Sequence, residues 1–174
     1  MLDQSDYQRI ETRLGKDHLE KRLQNQVRRA AKLYTIGGLS FFHPKNAKRF
    51  HILLKLFFQV LGVLRRGQMN CLDYRPEEVP VALKRLPAAF REFRVLQLSD
   101  LHADGIPDTG VRLRSLLRGI KCDLCVITGD FRFDTYSEYL AAMTTTKNIV
   151  SAVKATHGIF GILGNHDYIE FVPE

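Results

Sequence analysis

A chain of 174 residues with 45% hydrophobic and 26% charged side chains fits one domain plus an extension, and is too apolar to stay disordered. Three cysteines, an odd and sparse number, exclude a disulfide framework and fit a reducing, cytosolic setting. The net charge of +7 is uneven: residues 1–94 carry 19 Lys/Arg against 9 Asp/Glu, and residues 95–174 carry 7 against 10, so a basic front and a mildly acidic back point to two tasks.

The N-terminus lacks the charged-then-apolar pattern of a signal peptide. Over residues 3–34, Leu14, Leu19, Leu23, Val27, Ala30 and Leu33 recur at spacings of three to five, which predicts helix with a weak point at Gly15. Thr35-Ile36-Gly37-Gly38 breaks it. No acidic residue lies between Glu20 and Asp73, while eleven Lys/Arg do; such a stretch should meet an anionic surface.

Residues 47–66 predict an amphipathic helix. Lys48, His51, Lys55, Gln59 and Arg66, with small Gly62, step by three or four along one narrow face, and the rest is dominated by Leu, Ile, Val and Phe. Pro44 precedes it and Arg65-Arg66-Gly67 marks its end. Three readings follow. The helix lies in a membrane interface with basic flanks on anionic head groups, it packs on a protein surface, or it spans the bilayer. Lys55 near the middle disfavours spanning, at ~2.5–3.5 kcal/mol on insertion scales. Bulky aliphatics rather than stacking aromatics make nucleic acid a weaker partner. Residues 1–75 thus read as a helical, basic extension, at the inner face of a membrane in the first reading. Residues 76–92, punctuated by Pro76, Pro80 and Pro87, read as a connector, with Val79–Leu83 as a short edge strand.

From residue 93 the pattern alternates. Strands are predicted at Phe93–Leu98, Asp123–Thr128 and Gly158–Leu163, with helices at Thr109–Ile120 and Ser137–Thr156, an α/β arrangement (βαβαβ) that implies parallel pairing. Cys122 and Cys125 read as ordinary strand residues rather than a zinc or redox pair, because no second Cys/His pair follows at finger spacing. His157, before the third strand, reads as a helix C-terminal residue near the dipole.

Each strand ends in a polar motif: Asp100-Leu101-His102, Gly129-Asp130, and Gly164-Asn165-His166-Asp167. Ligand sites in such sheets form at the carboxyl ends of strands. Asp100 and His102, two apart on extended chain, would face one ion. Asp130 has lone pairs enough to bridge two ions, and Asn165 offers an amide oxygen. Carboxylate, imidazole and amide oxygen without thiolate suit Mn, Fe or Zn in a working centre. His166 would carry a proton, with Asp167 orienting its ring.

These three motifs, in this order and 30–35 residues apart, resemble the calcineurin-like metallophosphoesterases over residues 93–172. The resemblance implies the first half of an αββα sandwich and a dinuclear metal centre. Asp100 and His102 would hold one ion, Asp130 would bridge, and Asn165 would hold the second. His166 would be the catalytic acid with Asp167 its partner, and Asp134 matches a further acidic position. The family's later histidines, ending in Gly-His-x-His, have no counterpart before Glu174. The chain is therefore expected to be a partial phosphoesterase domain over 93–174, with one sheet face uncovered. The activity implied is hydrolysis of a phosphodiester or pyrophosphate, on a membrane-associated, lipid-linked substrate. A cyclic-nucleotide or nucleic-acid phosphodiester, or a non-catalytic fragment, is the alternative.

Overall fold

The computed structural model describes residues 3–35, 44–133 and 139–172. The chain divides into two compact units, Met1–Met69 with Tyr168–Glu174, and Asn70–Asp167.

The first unit is helical. Helix α1, Gln4–Leu14, starts where the Asp3 carboxylate accepts the Asp6 N–H at 2.7 Å, a side-chain cap on one of the helix's orphan donors. Gly15, at φ 79°, separates it from α2, Lys16–Thr35, which is the interruption the sequence pattern predicts. Ile10 and Leu19, both 0% exposed, are buried, as are Ile169 and Phe171 in the short 3₁₀ turn Ile169–Phe171. The Gln26 amide joins that turn to α2: its nitrogen donates to Glu170 at 3.1 Å and its oxygen accepts the Ile169 N–H at 3.3 Å.

Helix α3, Pro44–Val60, begins at Pro44, where proline's missing N–H is no loss. The expected single helix over 47–66 is corrected to two. Gly62, at φ 70°, ends α3: its N–H reaches the Gln59 carbonyl and the Val63 N–H reaches that of Phe58, which is a Schellman stop. The chain restarts as α4, Leu64–Asn70. The break at Gly37-Gly38 lies outside the described residues. Along α3, Ile52, Leu53, Leu56, Phe57 and Val60 are all more than half exposed. Among the described residues, no helix is long and apolar enough to cross a membrane.

The second unit holds a three-stranded parallel sheet in the order β1-β2-β3, with β1 at Val95–Leu98, β2 at Leu124–Ile127 and β3 at Ile159–Gly161. Leu98 pairs with Ile127, and Ile127 with Gly161, so the three strands finish level. Helix α5, Val111–Leu117, follows β1, and α6, Leu140–Val150, follows β2. Both are shorter than their apolar periodicity suggests; residues 137 and 138 of the second expected helix lie outside the described residues. Cys125 and Ile127 share the buried sheet face; Leu113, Leu117, Ala142, Met143 and Ile149 are the buried apolar residues of the helices. The opposite face is open: Val95 is 54% and Phe160 60% exposed.

Two local expectations are corrected, at Val79–Leu83 and His157, and that for Cys122 and Cys125 holds. Val79–Leu83 forms no strand, and Val79, Val81 and Leu83 are exposed rather than packed against the sheet. His157 is not at a helix end. It lies in the turn before β3, donates its backbone N–H to the Asp123 carbonyl at 2.7 Å and lays its ring against Phe93. The turn, rather than a helix dipole, fixes it because α6 has already ended at Val150. Cys122 and Cys125 are free, buried thiols, the first in a single bridge to Ala155 and the second in β2.

Candidate metal centre

Because the strands end level, the loops that leave them run side by side. The Asp100 N–H donates to the Gly129 carbonyl at 3.1 Å, His102 to Asp130 at 3.0 Å and Ala103 to Phe131 at 2.7 Å, extending the parallel ladder past the sheet. The loop after β3 joins through side chains. Asp130 Oδ1 accepts the His166 N–H at 2.8 Å, while the Asp167 carboxylate accepts Phe131 N–H at 2.9 Å and Gly164 N–H at 2.8 Å.

Glycine is required where the second and third loops touch. Gly129 sits at φ 93°, and a Cβ there would stand 2.4 Å from the Gly164 nitrogen. A Cβ on Gly164 would stand 2.3 Å from the Asp130 nitrogen. The glycines beside the site's acid and amide are therefore what allow two backbones to meet.

One oxygen or imidazole nitrogen from each of Asp100, His102 and Asp130 lies within 4.8 Å of the others. Metal–ligand bonds of ~2.0–2.2 Å put two donors of one ion at most ~4.4 Å apart, so small side-chain shifts suffice. The Arg132 carbonyl takes the hydrogen bond of His102 Nδ1 at 2.8 Å, which holds the Nδ1–H tautomer and leaves the Nε2 lone pair to bind. Neither Asp100 nor Asp130 forms an ion pair among the described residues. The donor set thus fits a hard or borderline divalent metal.

The backbone at all three residues is unusual. Asp100, His102 and Asp130 have φ of 50°, 41° and 52°, in the left-handed region that L-residues seldom enter. Strain of this kind concentrates at functional sites. It also corrects the expectation that Asp100 and His102 share a face on extended chain. They converge because their loop turns left-handed twice while its N–H groups stay tied to the next loop.

Asn165 lies in the third loop, next to the His166 N–H that reaches Asp130. The His166 ring stands edge-on to His102, centroids 5.2 Å apart, with Nδ1 3.3 Å from the Phe133 carbonyl. Asp167, expected beside that ring, is 4% exposed and has backbone N–H groups on both oxygens. Asp134 lies outside the described residues. Composition and spacing pass over Arg132, whose carbonyl orients His102, and Phe133, whose ring packs on His102 at 5.7 Å. A main-chain carbonyl has no signature in a sequence.

Asp167→Ala should cost about 2–4 kcal/mol, since it orphans buried N–H groups that a charged acceptor satisfies. Urea unfolding measures the loss, and Asp167→Asn should recover part of it.

The family model described as calcineurin-like phosphoesterase matches residues 93–174. The chain is 27% identical over 121 residues to the uncharacterized metallophosphoesterase YkoQ of Bacillus subtilis, covering 69% of this chain and 44% of that protein. It is 33% identical over 93 residues to the UDP-2,3-diacylglucosamine pyrophosphatase LpxG of Chlamydia muridarum, covering 51% and 27%. A Helicobacter pylori metallophosphoesterase is 27% identical over 141 residues, covering 78% and 36%. The chain spans less than half the length of these curated relatives. No solved structure matches. Three strand-end loops that carry the Asp-x-His, Gly-Asp and Gly-Asn-His-Asp motifs agree with those matches, and residues 93–174 are similar to the calcineurin-like phosphoesterase family.

Proposed function

We propose that residues 93–174 supply the first part of a metal-dependent phosphoester hydrolase acting on a phosphodiester or pyrophosphate. The observation that carries this is the convergence of Asp100, His102 and Asp130 from two loops onto one ion-sized space. In this reading Asp100 and His102 would hold one divalent ion, with Asp130 and Asn165 available to hold a second. Bound in pairs, such ions supply Lewis acidity to the phosphoryl group and to the attacking water. His166, on the rim beside His102, donates the proton to the leaving oxygen. Asp167 holds the loop that carries His166.

His166→Ala should lower turnover of an aryl phosphodiester about 10²–10⁴-fold with metal content unchanged. Loss of metal in that variant would make His166 a ligand instead. Hydrolysis indifferent to chelation would refute the metal reading.

The substrate we favour is a lipid-linked pyrophosphate, met at the cytoplasmic face of an anionic membrane by residues 1–75, with 76–92 as connector. The exposed apolar side chains of α3 and the acid-free basic stretch from Lys21 to Leu72 support it, as does the pyrophosphatase named among the relatives. Co-sedimentation with vesicles containing anionic lipid should retain the protein, and neutral vesicles should retain far less. Equal recovery on both would favour a soluble phosphodiester.

A further inference from the structure

Beside the Asp100–His102 end of the centre lies a pocket of about 280 Å³. Its walls are Cys71, Tyr74, Leu101, Ile106, Pro107 and Phe133, with Asp100 and His102 completing it. All of these belong to the second unit. The pocket is predominantly apolar and has two aromatic rings. Tyr74 is half-buried there, and Phe133 is 55% exposed while its edge-on contact with His102 holds its ring.

We propose that this pocket receives a planar ring carried by the phosphoester, either an aryl group bound directly through oxygen or a nucleobase carried through its sugar, while the phosphoryl group occupies the centre. The inference rests on the proposed metal-dependent hydrolysis and adds the class of group that the substrate carries. Continuity decides the occupant. Asp100 and His102 both line the pocket and belong to the ligand cluster, so one molecule that reaches the cluster with its phosphoryl group brings its organic part toward Tyr74, Ile106 and Phe133. Aromatic faces prefer a ring in offset or edge contact over a flexible alkyl chain. Size agrees: a cavity of ~150 Å³ holds benzene, so 280 Å³ admits one ring or a fused pair.

The pocket carries its own reporter. Cys71 is the exposed thiol, whereas Cys122 and Cys125 are buried. Burial raises the pKa of both, that of Cys125 to about 11, which slows their alkylation. The test measures the rate of Cys71 alkylation by iodoacetamide, read by mass spectrometry, in protein with Mn²⁺ and saturating methylphosphonate, phenylphosphonate or adenosine 5′-monophosphate. Calorimetry follows Mn²⁺ uptake in parallel. Phenylphosphonate or the nucleotide should slow alkylation about tenfold, and methylphosphonate less than twofold. Protection at lower concentration by the nucleotide assigns a nucleobase, and the reverse order assigns an aryl group. Ile106→Trp, which fills the pocket, and Tyr74→Ala, which removes a wall, should both abolish the difference while Mn²⁺ uptake persists. Equal protection by all three ligands, or by none, with Mn²⁺ bound would overturn the pocket and leave the metal reading standing. Absent Mn²⁺ uptake would overturn the metal reading and the pocket with it.

Discussion

Asp130→Asn should empty the metal centre and abolish hydrolysis while leaving the protein folded. Asn keeps the shape of Asp and is among the few residues at home in left-handed backbone, here at φ 52°. Its amide oxygen can still accept the His166 N–H that Asp130 Oδ1 now takes at 2.8 Å. What disappears is one negative charge at the position expected to touch both ions. Changes outside the ligand shell already cost ~10–100-fold in metal affinity, so loss of a bridging carboxylate should exceed that. Elemental analysis and thermal unfolding, run together, separate the effects. A variant that kept two ions would remove Asp130 from the bridging position, and one that unfolded would show the carboxylate to be chiefly structural.

Gly129→Ala should do the opposite and destroy the fold around the centre. The added methyl would meet Gly164 backbone atoms at 2.4 and 2.6 Å, and φ 93° is unfavourable for any side chain. Left-handed backbone costs about 1–2 kcal/mol, and overpacking against backbone about 1–3 kcal/mol more. A domain whose whole stability is about 5–15 kcal/mol does not absorb that easily. Gly119→Ala serves as the control, since its nearest neighbour would be at 3.6 Å. The expected outcome is a denaturation midpoint sharply lowered at 129 and unchanged at 119. Equal behaviour would show that the two loops can separate without loss.

The sequence was most legible where chemistry and secondary structure coincide. Three apolar runs, each ending in Asp, His or Asn, identify the strands and the side of the sheet where the site forms, because parallel strands end on one side. It was least legible where one glycine outweighs a long periodic pattern. Around Phe58–Leu64 the apolar stripe continues without interruption, yet Gly62 turns left-handed and closes the helix on the Gln59 and Phe58 carbonyls. The geometry of the centre was hidden for another reason. Asp100 and His102 read as neighbours on an extended chain, whereas their convergence depends on hydrogen bonds to Gly129 and Asp130, about thirty residues away. Asp167 illustrates the same limit. Its place after histidine does not report that its buried oxygens accept the distant Phe131 N–H and the Gly164 N–H.

The meeting of Gly129 with Gly164 also bears on the order in which the molecule assembles. His166 and Asp130, like Phe131 and Asp167, are 36 residues apart, and their bonds can close only after all three strands have found their register. Contacts at such separation form late, because chain entropy is spent before they return anything. Metal uptake after dilution from denaturant should therefore lag behind the recovery of helical signal, making the ion a clock for the final step of folding.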